Sequence, residues 1–281
     1  MTEFVLPQAP GKHVIVSGQR IHYIEKGSKS ASPLILLHGL MDSTSAWKEV
    51  FVDLSKKFHV FALDLPGHGY SEKRSDFSMS LPDQAAMVSG FMDAVKIKSC
   101  NLLGHSMGGG IAILMASRYP KRIEKLVLVC PVCYPFRAPL KGKLGMLPHI
   151  GPLVVNYIYN RKLITDYVMN EVYSDPANAT QEEIDIMYAH FDTSEGRSAA
   201  QRAMVAIDNP VWMAEDIKKI KSASLIIWGD RDILIPISLS YRLEADIPDS
   251  KLHIIDRCGH MVINEQTDEF RKLIVDFLKS K

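Results

Sequence analysis

Gly104-His105-Ser106-Met107-Gly108 is the stretch on which the reading of this chain turns. It fits Gly-x-Ser-x-Gly, follows a short apolar run (Cys100, Leu102, Leu103) and precedes a helix-like one (Ile111, Ala112, Leu114, Met115). A serine at a sharp strand-to-helix turn presents its hydroxyl outward, and flanking glycines leave room for the strained backbone. The helix that follows aims unpaired N–H groups at the same spot, where developing negative charge is stabilised. This context, more than the pentapeptide alone, makes Ser106 a candidate hydrolase nucleophile.

Outward from this turn the chain repeats a rhythm of short apolar strand, glycine-bearing turn and helix. Residues 13–25 alternate around Ser17-Gly18-Gln19 and predict a β-hairpin. Buried strands are predicted at Pro33–Leu37, His59–Leu63, Cys100–Leu103, Lys125–Val129, Ala223–Trp228 and Lys251–Ile255. Helices are predicted at Trp47–Leu54, at Leu81–Val95 behind a Ser80 cap, and at Gly109–Arg118, Pro236–Ala245 and Thr267–Lys279. Strands apolar on both faces that alternate with helices imply an α/β fold, a mostly parallel sheet covered on both sides.

The rhythm breaks between 134 and 210. There Pro135, Pro139, Pro148, Pro152 and Pro176 interrupt helical segments at Pro152–Tyr159, Leu163–Val172, Gln181–His190 and Gly196–Ile207. The expectation is a core made of residues 1–133 and 211–281, with 134–210 inserted as a helical cap.

Two later strand ends supply partners for the serine. Gly229-Asp230-Arg231-Asp232 follows the strand ending at Trp228, and Gly259-His260 follows the next strand. The order serine, acid, histidine, each at a strand's carboxyl end, is that of the α/β-hydrolase arrangement, and ligands of open α/β sheets bind there. Asp230, directly after the glycine, suits turn formation. Asp232 has more reach and is the expected acid, with His260 the base. His38-Gly39-Leu40 closes the first buried strand, so the amides of Leu40 and Met107 are the candidate oxyanion hole. His38 suits tying loops together by hydrogen bonds, and the side chain of His105 should point away from Ser106.

The totals fit a soluble enzyme. The chain has 281 residues, 47% apolar and 23% charged, with a formal net charge of +1. Nothing in this balance points to a nucleic-acid partner. No apolar run approaches the ~18–20 residues that span a bilayer. Met1-Thr2-Glu3-Phe4 lacks the pattern of a secretory signal, and four cysteines in apolar surroundings suit reduced core thiols, so a cytoplasmic location is expected. Cys130 and Cys133 have Cys-x-x-Cys spacing but no second pair, so no metal and no cofactor is expected.

The motifs HGL (38–40), DLPGHGYS (64–71), GHSMGG (104–109), WGDRDILIP (228–236) and CGHMVINEQ (258–266) together resemble the α/β-hydrolase superfamily from about Val14 to Leu278. The resemblance implies an eight-stranded, mostly parallel sheet and a cap after the sixth strand. It carries over Ser106 as nucleophile, Asp232 as orienting acid, His260 as base, and Leu40 and Met107 as oxyanion hole. Relatives that cleave epoxides or haloalkanes carry aspartate at the nucleophile position, where this chain has Ser106. The chain is also similar to carbon–carbon bond hydrolases of aromatic degradation and to cofactor-free haloperoxidases and perhydrolases. The former usually carry tryptophan after the histidine and asparagine before the serine; Met261 and His105 stand here.

The function implied is hydrolysis of small to medium apolar carboxylic esters through an acyl-enzyme, with a small-molecule ester and water as partners. Carbon–carbon hydrolysis of vinylogous diketones, perhydrolysis and a receptor-like role are the alternatives. Candidate substrate contacts are His38, Gly39, His105 and Met261 near the chemistry, with Leu144, Met146 and Leu147 in the cap. No stable membrane association is expected, because Arg137, Lys141, Lys143, Arg161 and Lys162 form no single face. A monomer or small homo-oligomer is expected.

Overall fold

A computed structural model describes residues 9–136, 140–147, 149–208 and 210–280. Met1-Thr2-Glu3-Phe4, Arg137, Pro139 and Pro148, which enter the reading above, lie outside them, as does the side chain of Lys141. The sequence opens with a hairpin of β1 (Lys12–Val16) and β2 (Gln19–Lys26). Ser17 and Gly18 at its tip have φ of 49° and 78°, the mirror-image turn whose twist matches paired strands. There follow β3 (Pro33–Leu37), β4 (His59–Leu63), β5 (Cys100–His105), β6 (Ile123–Val129), β7 (Ala223–Gly229) and β8 (Ser250–Ile255). They form one eight-stranded sheet in the order β1-β2-β4-β3-β5-β6-β7-β8. The pairs β1–β2 and β2–β4 are antiparallel and every other pair is parallel.

All six residues of β5 are buried, and so are four of the five in β3 and in β4. Central strands of this kind need cover on both faces. Helix α1 (Lys48–Ser55) packs with the closing helix Thr267–Lys279, while α2 (Leu81–Ala94) packs with α3 (Met107–Arg118). The Ser80 hydroxyl caps α2 by accepting from the Asp83 amide at 3.2 Å. Helix α3 is buried through its first ten residues, Met107–Ala116, which explains why its sequence is apolar on all sides.

After β3 the chain goes to β4 on one side, then crosses to β5 on the other. The direction of winding therefore reverses around β3 and β5, and a crevice opens outside their carboxyl ends. The loops after these two strands carry Gly39, Leu40 and Ser106.

The segment between β6 and β7 is helical but less regular than its sequence predicts. Helices run over Leu140–Met146, Gln181–Phe191 and Ser194–Ile207. Arg161–Tyr167 is α-helical and passes into a wide π-helical turn over Val168–Val172; a second such turn spans Val154–Ile158. No described helix is long and apolar enough to cross a membrane.

Candidate active site

Ser106 stands alone between β5 and α3, with φ 53° and ψ −116°, a conformation that L-residues seldom adopt. The backbone around it holds it there. Its amide donates to Val129 O at 2.9 Å, and its carbonyl accepts from Val132 N at 2.9 Å and Gly110 N at 3.2 Å. The flanking glycines are required by close approach. A Cβ on Gly104 would lie 2.3 Å from Gly108 O, and one on Gly108 would lie 2.2 Å from Leu37 O.

The candidate acid and base stand just beyond the ends of β7 and β8. Asp232 Oδ1 accepts from the amides of Leu234 and Ile235, each at 2.9 Å. Its Oδ2 accepts from His260 Nδ1 at 2.7 Å, which puts that ring proton on Nδ1 and leaves Nε2 as the acceptor. Burial works to raise the Asp232 pKa, but the imidazole beside it and the amides outweigh burial and hold it below the usual carboxylate value. Asp230 is engaged elsewhere: its Oδ1 accepts from Cys258 N at 3.0 Å and ties the two loops together. Cys130, Asp232 and His260 have ligand atoms within 4.8 Å of one another, but both Asp232 oxygens are already occupied as described.

Ser106 and His260 line one cavity of about 180 Å³. No hydrogen bond joins Ser106 Oγ to His260 Nε2; such contacts are often long in ligand-free sites and tighten around substrate. The loop after β3 presses on the serine, since a Cβ on Gly39 would lie 3.3 Å from Ser106 Cβ. Leu40 N, in that loop, has no acceptor among the described residues, and Met107 N is the first amide of α3. Leu40 lines the same cavity as Ser106, and the first amides of a helix have no acceptor within it.

The other candidate residues separate into two groups. Gly39, His105, Met146 and Met261 line the cavity; His38, Leu144 and Leu147 do not. His38 is fully buried with both ring nitrogens used: Nδ1 donates to Gly39 O at 2.7 Å and Nε2 accepts from Leu65 N at 2.9 Å. Leu144 and Leu147 are 43% and 41% exposed, turned to solvent while Met146 of the same segment reaches the cavity. His105 donates from Nε2 to His260 O at 3.0 Å, tying down the backbone of His260. Burial, then the neighbouring His260, pushes the His105 pKa down to about 3, so it is neutral.

A family model described as the α/β-hydrolase fold matches residues 32–266. The chain belongs to the α/β-hydrolase family. A 2-hydroxy-6-oxo-2,4-heptadienoate hydrolase of Pseudomonas putida is 28% identical to this hydrolase over 285 residues, covering 96% of this chain and 97% of the relative. A monoacylglycerol lipase of Mus musculus is 30% identical over 275 residues, covering 92% of this chain and 79% of the lipase. Among solved structures, the meta-cleavage product hydrolase CumD of Pseudomonas fluorescens IP01 matches with a TM-score of 0.82 at 28% identity, covering 95% of this chain and 97% of that one.

The rest of this hydrolase's cavity wall is apolar, with Leu163, Ile164, Tyr167, Val168 and Val172 from one helical stretch of the insertion and Met187 from the next. Their helical spacing is visible in the sequence; which face turns to the cavity is not. No lysine or arginine is among the described residues of the wall. Among the described residues its one carboxyl is Asp42, two residues after Leu40, which nothing in its sequence context marks out. Burial, opposed by the Ser43 amide, pushes the Asp42 pKa up to about 7.

Proposed function

We propose that this hydrolase cleaves carboxylic esters of apolar acyl groups, with Ser106 as nucleophile, His260 as base, Asp232 as orienting acid, Leu40 and Met107 as oxyanion hole, and the 134–210 insertion as the cap that shapes the acyl pocket. His260 Nε2 takes the Ser106 proton as Oγ attacks the ester carbonyl. The resulting oxyanion is held by the two amides, and Asp232 stabilises the imidazolium. The proton then passes to the leaving alcohol, and water repeats the sequence on the acyl-enzyme.

The observation that favours the ester reading is that the described residues of the cavity wall include no lysine or arginine. A neutral ester with an apolar chain meets matching surface there, whereas a dienoate anion would bury its carboxylate unpaired, at high cost. Carbon–carbon bond hydrolysis is the second reading, favoured by the likeness to the Pseudomonas hydrolases. The test is fluorophosphonate labelling of Ser106 followed by kinetics on p-nitrophenyl esters of graded chain length and on a vinylogous diketone acid. Ser106→Ala should lower kcat on the esters by about 10⁶-fold. Turnover of the diketone acid above that of every ester would reverse the choice, and near wild-type turnover by Ser106→Ala would end both readings.

A further inference from the structure

Asp42 stands where the apolar cavity meets a second, much smaller one. Met41 and Asp42 belong to both walls. The smaller cavity, about 10 Å³, has room for roughly one water-sized group. His68 and His190 line it, and the Nε2 atoms of both are buried without a hydrogen-bond partner. His68 donates from Nδ1 to Pro66 O at 3.0 Å, so its Nε2 is a bare acceptor. Burial lowers both imidazoles, His68 to about 3 and His190 to about 4, and neither carries charge at neutral pH. Asp42 Oδ1 accepts from Ser43 N at 2.7 Å, and Oδ2 has no hydrogen bond among the described residues. Bare polar atoms in enclosed surroundings cost free energy until a partner arrives. With the imidazoles neutral and the carboxyl part-protonated, a hydroxyl, which both donates and accepts, suits them better than an ion.

We infer that Asp42, with His68 and His190 behind it, is a hydroxyl-binding subsite that directs this hydrolase to apolar acyl esters of polyhydroxy alcohols. The inference rests on ester hydrolysis at Ser106. Asp42 is two residues from Leu40, at most about 7 Å of extended chain. The subsite therefore lies close to the place proposed for the scissile carbonyl. Hydroxyls on the alcohol sit only three or four bonds from the ester oxygen and can reach it, while the long apolar wall takes the acyl chain.

The test compares kcat/KM for monooctanoylglycerol and propyl octanoate, which share acyl chain and alcohol carbon count and differ only by two hydroxyls. The wild-type hydrolase should favour the glyceryl ester by about tenfold or more, and Asp42→Ala should bring the ratio close to one. Asp42→Asn, which keeps the side-chain volume, should lower the ratio in the same direction and serves if Asp42→Ala folds poorly. A wild-type ratio near one, or a ratio unmoved by either variant, overturns the subsite. Faster turnover of propyl ω-hydroxyoctanoate than of monooctanoylglycerol overturns its assignment to the alcohol. If neither octanoate ester is cleaved, ester hydrolysis itself falls, an outcome distinct from cleavage of both without preference.

Discussion

Two aspartates two positions apart have different work, and substitution should separate them. Asp232 Oδ2 holds the Nδ1 proton of His260, so Asp232→Asn offers the ring the wrong partner and should cost about 10⁴-fold in kcat. Asp230→Asn keeps a side-chain oxygen for Cys258 N and should stay within about tenfold of wild type, because surface changes outside a key network are mild. Steady-state ester kinetics on both variants checks the pair. Asp42 makes a further residue-scale prediction. Its pKa is about 7 in the folded chain against an ordinary 3.8, so the native state holds the proton that the unfolded chain releases. Its contribution to stability is therefore full below about pH 4 and is lost as pH rises toward about 7. Asp42→Asn removes this loss, so thermal melts should show the variant gaining on wild type across that window and no further above it. The placement of Ser106, Asp232 and His260 at the carboxyl ends of strands is readable in the sequence because each follows an apolar strand in a fixed order. Asp42 is not, since its place on the cavity wall depends on how the loop after β3 lies against β5.

At the scale of elements, the turn between β5 and α3 depends on backbone meeting backbone. A methyl on Gly108 would press on two carbonyl oxygens, Leu37 O at 2.2 Å and His38 O at 2.5 Å, and neither can rotate away. Gly108→Ala should therefore destabilise the fold by about 1–3 kcal/mol, and fluorophosphonate labelling should drop even where the protein remains folded. Urea unfolding alongside labelling measures both. Strands and major helices are legible as apolar runs between glycine-bearing turns, and Thr267–Lys279 falls where its apolar spacing puts it. The wide turns at Val154–Ile158 and Val168–Val172 are not legible, because their extra residue per turn answers to packing rather than to local propensity. The same limit explains Leu144 and Leu147: apolar identity does not tell which side chains of a short helix and the turn after it meet a neighbour.

Across the whole molecule, the helical segment between β6 and β7 meets the loop that bears His260. Glu265 accepts from Gly259 N at 2.8 Å with one oxygen, and from Ser174 N at 2.9 Å and the Ser174 hydroxyl with the other. Glu265→Ala strips two part-buried amides of their acceptor and should cost about 1–3 kcal/mol in stability. Its effect on kcat should exceed its effect on KM, because Gly259 immediately precedes the proposed base; Glu265→Gln should recover part of both. By contrast, Lys48–Glu182 also bridges core and insertion, but both side chains are solvated and such a pair contributes little. The amide of His260 itself donates to Val172 O at 2.9 Å. This bond ties the backbone of His260 to the end of the Val168–Val172 turn, so a displacement of that turn would be felt at the proposed base.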